Sequence, residues 1–173
     1  MECNHGVLSL HHKLSGELKI NDNNINFNDG TGYIEKDWGC SFPKTYQWIQ
    51  CNDFKENKCS IMVSIADIPF MGINFKGCIA VVYYKGKEYR LATYNGVKIL
   101  KYNSSGLIIQ RGKYRLEIEI FQGLAQKLLA PNIGHMTRPI YENASCKGRF
   151  KFYIKNKIEF DFYSENTSFE YVD

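Results

Sequence analysis

Between Tyr33 and Asn52 the chain sets two carboxylates, Glu35 and Asp37, close to two indoles, Trp38 and Trp48. Carboxyl groups transfer protons. Burial, or a second carboxylate nearby, raises the pKa of one of them until it stays protonated near neutral pH. Indole faces attract cations. On an extended strand Tyr33, Glu35 and Asp37 share one face, and Ile34, Lys36 and Trp38 share the other. The first face could point into a barrel, or it could lie in solvent with Ile34 and Trp38 in the core. Over residues 46–54, Tyr46, Trp48, Gln50, Asn52 and Phe54 alternate with Gln47, Ile49, Cys51 and Asp53. A face with rings at one end and amides at the other suits a pocket wall that grips an apolar molecule with a polar head. It also suits a core face whose amides bond neighbouring loops.

The segment GHMTRPIYE (134–142) gathers His135, Met136, Arg138, Tyr141 and Glu142 around Pro139. His135 reads as a loop histidine with structural hydrogen bonds, and Arg138 with Glu142 as a structural ion pair. Near the start stand Cys3, His5, His11 and His12. Their spacing matches no familiar zinc site, and His11 and His12 would face opposite ways on a strand, so no metal site is read here. Phosphate-binding loops, nucleophile elbows and HExxH helices are missing from the sequence.

These residues must be positioned by strands. Hydrophobic residues make up 44% and aromatics 14% of 173 residues, enough for a packed core and against disorder. Apolar and polar residues alternate in LEIEI (116–120), GRFKFYIK (148–155) and IEFDFYS (158–164), as antiparallel sheets with one wet face require. Further strands are expected at 15–20, 25–27, 31–38, 46–54, 59–68, 73–84, 88–94, 97–102 and 106–110. The turns between them include KENK (55–58), KGK (85–87), a hairpin at Asn95-Gly96, and RG (111–112). So many strands strain an open twisted sheet and favour closure into an antiparallel barrel of roughly 8–10 strands. The segment 123–136 breaks the pattern. Leu124 and Leu128 are four apart and Pro131 follows, so a short helix or an ordered loop is expected there.

The net charge is +4, and the basic residues are scattered on what read as outer faces, with no nucleic-acid recognition motif. None of the six cysteines forms a CxxC pair. The polar start MECNHGVLSL is unlike a signal peptide, and no apolar run is long enough to span a membrane. Reduced cysteines in a cytoplasmic, single-domain protein are the expectation.

The run GYIEKDWGCSFPKTYQWIQCN resembles the tocopherol cyclase-like family through Gly32, Tyr33, Glu35, Lys36, Trp38, Gly39, Phe42, Pro43, Trp48, Gln50 and Asn52. A second block, 128–144, is similar through Ala130, Pro131, Met136, Arg138, Ile140 and Glu142. Asp37 stands where plant-type relatives have asparagine. The resemblance implies a lipocalin-like barrel. It also implies that the chain corresponds to the C-terminal half of a protein with two such halves, the first a partner for this one. The chemistry it implies is proton-initiated ring closure, or a related isomerisation or hydration, of a prenylated lipid or quinol without metal or organic cofactor. Glu35 or Asp37 would be the acid. Tyr33, Trp38 and Trp48 would stabilise the cation, each by up to ~2 kcal/mol in a dry site. Tyr46, Gln50, Asn52, Met136, Arg138 and Glu142 complete the expected ligand-binding set. A non-catalytic module that binds a hydrophobic small molecule, or a structural half-domain, is the alternative.

Overall fold

The computed structural model describes residues 3–55, 58–121 and 123–173. It contains fourteen strands: β1 (Cys3–Leu14), β2 (Glu17–Ile20), β3 (Asn23–Asn26), β4 (Gly30–Gly39), β5 (Tyr46–Cys51), β6 (Cys59–Phe70), β7 (Ile73–Tyr84), β8 (Lys87–Ala92), β9 (Lys98–Asn103), β10 (Gly106–Arg111), β11 (Tyr114–Ile120), β12 (Gln126–Asn132), β13 (His135–Ile154) and β14 (Lys157–Val172). A 3-10 turn at Thr93–Asn95 is the sole helical element among the described residues. Among them, no helix is long and apolar enough to cross a membrane. Glu56 and Asn57, of the turn expected at 55–58, lie outside the described residues.

The main sheet has ten strands in the order β8-β7-β6-β5-β14-β13-β11-β10-β9, with β12 paired to β13. Every pairing is antiparallel. The sheet curls on itself. Rings from strands far apart in this order meet on its concave side: Tyr89 contacts Tyr114 and Phe152, and Tyr84 contacts Phe160 and Phe162. Ile49, Val63, Ala80, Leu91, Ile109, Leu116, Phe150 and Phe152 are all fully buried in that one cluster. Gln47 joins them on the inner face, and its amide donates to the Asn103 carbonyl at 2.7 Å.

The expected barrel is not closed by backbone pairing, since no ladder joins the two edge strands, β8 and β9, among the described residues. Arg111 bridges this seam instead, donating to the carbonyls of Asn95 at 3.0 Å and Arg90 at 3.4 Å. The Asn95-Gly96 hairpin does not form either. Asn95 Oδ1 accepts from the Ala92 N–H at 2.8 Å, and Gly96 adopts φ 82°. That closes a 3-10 turn with a left-handed end, which sends β9 away from β8 to the far edge of the sheet. The segment 123–136 is neither helix nor loop. Its residues 126–132 form β12, which meets β13 through a turn at Ile133 and Gly134, both with positive φ. Pairing with a long strand overrode a weak helical spacing.

Two smaller sheets complete the molecule, β1 with β4 and β2 with β3. The β1–β4 ribbon lies against the outer, convex face of the main sheet. Asn52 Nδ2 donates to the Thr31 carbonyl at 3.1 Å, and His11 bonds Ser60 at 2.8 Å and stacks on Tyr83. The inner aromatic cluster carries the stability of this arrangement. Replacing the fully buried Phe150 with alanine is expected to cost about 3–5 kcal/mol, read as a shift in the urea unfolding midpoint.

Candidate functional site

Because side chains alternate along a strand, filling the inner face with Ile49, Val63 and Ile65 sends Tyr46, Trp48, Ser64 and Ala66 outward. The ribbon roofs this outer row and leaves a cavity of about 550 Å³. Its polar end is built by His5 from β1, Glu35 and Asp37 from β4, and Glu170 from β14. Its walls include Trp38, Phe42, Pro43, Tyr46, Trp48 and Ile79. Glu35, Asp37 and Glu170 thus border a cavity that is open on one side, with Asp37 itself exposed. That cavity lies outside the curled sheet, because the concave side is already packed with rings.

Glu35 Oε2 accepts hydrogen bonds from the Tyr33 hydroxyl and from Trp48 Nε1–H, the latter at 3.1 Å. His5 Nδ1 lies 2.6 Å from Asp37 Oδ1, and its Nε2 lies 3.8 Å from Glu35 Oε2, buried and without a hydrogen-bond partner. Desolvation pulls the His5 pKa down. The hydrogen bond to Asp37 and the charges of Asp37 and Glu35 outweigh it and leave the imidazole above 6.5. Tyr46 donates to Glu170 Oε2 at 2.7 Å. In register, Glu170 stands opposite Trp48 on β5 and Glu142 on β13. Burial pushes the Glu170 carboxyl up. The Tyr46 hydrogen bond opposes the shift, and the charges of Glu142, Glu35 and Asp37 add to it. Burial, then the hydrogen bond to Glu35 and the charges of Glu35 and Asp37, hold Tyr33 well above the phenol range. In Tyr46, burial and then Glu170 do the same.

The donor atoms of His5, Glu35 and Asp37 lie within 4.8 Å of one another. A nitrogen and two carboxylates are a set that can hold a divalent cation, though Tyr33, Trp48 and Asp37 already engage the lone pairs and protons it would need.

The remaining sequence candidates support the cavity rather than line it. Arg138 is a clamp: its guanidinium donates to the carbonyls of Phe42, Pro43 and Lys44, at 2.7 Å for Pro43. No ion pair joins it to Glu142 among the described residues. The β12–β13 hairpin adds Ile133 N–H to Ser41 Oγ at 2.8 Å and Gly134 N–H to the Cys40 carbonyl at 2.7 Å. Phe42 and Pro43 are thereby held at the cavity wall. Asn52 fastens β5 to β4, and the Gln50 amide nitrogen is buried without a partner. Met136 is 60% exposed and does not line the cavity. All six thiols are free.

The tocopherol cyclase-like family profile matches residues 2–131. The chain belongs to the tocopherol cyclase-like family. A probable chloroplastic tocopherol cyclase of Oryza sativa subsp. japonica is 24% identical over 86 residues, 47% of this chain and 18% of the rice protein. Among solved structures, kievitone hydratase from Nectria haematococca superposes with a TM-score of 0.56 at 13% identity, over 98% of this chain and 53% of the hydratase. The fold is therefore shared, and the chain spans about half the length of that solved structure.

Sequence reasoning missed two residues of the site. His5 sits on a strand whose pairing with β4 shifts register at Val7/Ser9 and Ser9/His12, so the period-two pattern that marks a strand is broken. Glu170 lies beyond the stretch 158–164 expected as the last strand, which in fact runs to Val172. The alternation of Thr167, Phe169 and Tyr171 with Ser168, Glu170 and Val172 was the available signal.

The His5 shift has a fixed sign. A raised folded-state pKa contributes stability fully present well below 6.5, and that contribution fades as pH rises through the raised value. In an imidazole NMR titration His5 is expected to titrate above 6.5, and Asp37→Asn to lower its midpoint. An unchanged midpoint in the variant would remove Asp37 as the partner.

Proposed function

We propose that the cavity catalyses acid-initiated addition to the alkene of a hydrophobic phenol or quinol that carries a prenyl chain. Ring closure results when the substrate's own hydroxyl captures the cation, and hydration when water does. The reading is supported above all by the sorting of the acids at the polar end. Glu170 is raised by burial, whereas Glu35 is held by two donors and Asp37 by His5. A carboxyl group raised by burial suits the acid, and carboxylates already aligned by donors suit the acceptor of the final proton.

Glu170, protonated, gives its proton to one alkene carbon, and the neighbouring tertiary carbon becomes a cation. The Trp48 face, with the charges of Glu35 and Asp37, stabilises it, whereas Trp38 is 51% exposed and its ring already carries Lys36 Nζ 5.7 Å from its centroid. The phenol oxygen then closes the ring and its proton passes to Glu35 or Asp37. The sequence named Glu35 and Asp37 as candidate acids; in this proposal they balance the cation and accept the final proton. Apolar walls limit the access of stray water. Membership of the tocopherol cyclase-like family and a fold shared with a protein named a hydratase both support chemistry of this class. The curled sheet would be a lipocalin-like barrel wall. A second β half would be its partner in a longer protein, consistent with the 53% coverage of the hydratase.

Incubation with prenylated hydroquinones tests this, with mass spectrometry for an isomer or for a product heavier by one water. Glu170→Gln is expected to lower the rate by about 10²–10⁴-fold. The wild-type rate should fall as pH rises through the raised Glu170 value, which lies above 4.5. Binding without any product would instead leave a non-catalytic module for a hydrophobic small molecule.

A further inference from the structure

β6 and β7 run on beyond their neighbours. The last partner that β5 offers to β6 is Tyr46, opposite Ala66, and the last that β8 offers to β7 is Ala92, opposite Ile79. Past these pairs a free hairpin continues through Asp67↔Lys76, Ile68↔Phe75, Pro69↔Asn74 and Phe70↔Ile73. It turns at Met71 and Gly72, both with positive φ.

Its two faces differ. One carries the Asp67–Lys76 ion pair at 2.9 Å and Asn74, and Thr45 Oγ1 anchors it by donating to Asp67 at 2.6 Å. The other carries Ile68, Phe70, Ile73 and Phe75. By alternation this apolar face continues that of Ser64, Ala66, Gly77 and Ile79, which form the cavity floor. Ile68 and Phe75 are already part of the cavity lining, whereas Phe70 and Ile73 are 57% and 66% exposed. Gly77 leaves the room in which Ile68 folds down onto the floor, since a Cβ there would lie 2.3 Å from Ile68 Cδ1. From Ser64 to Phe70 the strip runs roughly 20 Å, at about 3.3 Å per residue.

We infer that this strip is a binding site for the hydrocarbon chain of the ligand. Ile68, Phe70, Ile73 and Phe75 would set the preferred chain length. The ligand class is an amphiphile with a compact hydroxylated ring at the acid end and a chain long enough to reach Ile73. The inference rests on the proposed function, because the acid end determines where the ring sits. Continuity with the cavity floor favours a ligand chain over a protein partner. So does width: the strip is two side chains across, whereas a stable protein interface takes about 800 Å² from each side.

A series of hydroquinones with one to four prenyl units, titrated by tryptophan fluorescence quenching, tests it. Trp38 and Trp48 both border the cavity. In the wild type, Kd is expected to fall about tenfold for each unit laid on the strip, then level off. Phe70→Asp and Ile73→Asp should flatten that fall yet leave Kd for the shortest member within about twofold, and Phe70→Leu should restore it. A wild-type Kd independent of chain length overturns the inference. Equal weakening of the shortest and longest members in the variants also overturns it, as does a change of oligomeric state in Phe70→Asp with the length dependence intact. A length dependence without turnover would sink the proposed reaction and leave this site standing.

Discussion

The cavity depends on a packing constraint: the concave face of the curled sheet is filled by Ile49, Val63, Leu116, Phe150, Phe152 and their neighbours, so no ligand has room there. Strand geometry then allows β5 and β6 only one other direction for Tyr46, Trp48, Ser64 and Ala66, and that direction is outward. A convex face bearing two large rings would be an exposed apolar patch were it uncovered. The β1–β4 ribbon covers it incompletely, and the gap between roof and floor is the site. A register slip of one residue in β5 would turn Trp48 into the packed interior and Ile49 into the cavity, destroying both at once.

The polar end follows from this roofing. Glu35 and Asp37 descend from β4, and Glu170 rises from β14 beneath Tyr46. Three carboxyl groups gather at one end of the cavity, with His5 the cationic partner that the hydrogen bonds and charges favour. Burial and the charges of its neighbours raise the Glu170 carboxyl, against the opposing hydrogen bond from Tyr46. Glu35 takes two donors on a single oxygen, from Tyr33 and Trp48. The clamp from Arg138 acts on the same compartment from a distance. Three backbone carbonyls in the 42–44 loop would otherwise need water, and the guanidinium fork satisfies them while fixing Phe42 and Pro43 at the wall.

Much of the sheet was legible because alternation reports burial directly. Leu116, Ile118, Phe150, Phe152 and Phe160 alternate with charged or polar neighbours, and all five are buried. Turn chemistry was less reliable. Lys85-Gly86 and Lys155-Asn156 close tight hairpins with positive φ, as their composition suggests. Asn95-Gly96 has the stronger hairpin signature and makes a corner, because the Asn95 side chain bonds back to Ala92. In 123–136 a helical spacing of leucines gave way to pairing with β13, whose 20-residue length supplies a partner that local spacing cannot foresee.

Residue types and their spacing were enough to establish an all-β chain. They also marked Tyr33, Glu35, Asp37, Tyr46 and Trp48 as candidates for one polar, aromatic-lined site, because period-two patterns assign side chains to faces. Which of the two faces borders the cavity was decided only by tertiary structure, since alternation distinguishes the faces but does not say which is concave. The recruitment of His5 and Glu170, and the use of Arg138 and Asn52 as fasteners, likewise depend on contacts across 21 to 124 residues of chain. Local sequence carries no record of such contacts, because they form only when the ribbon settles on the sheet.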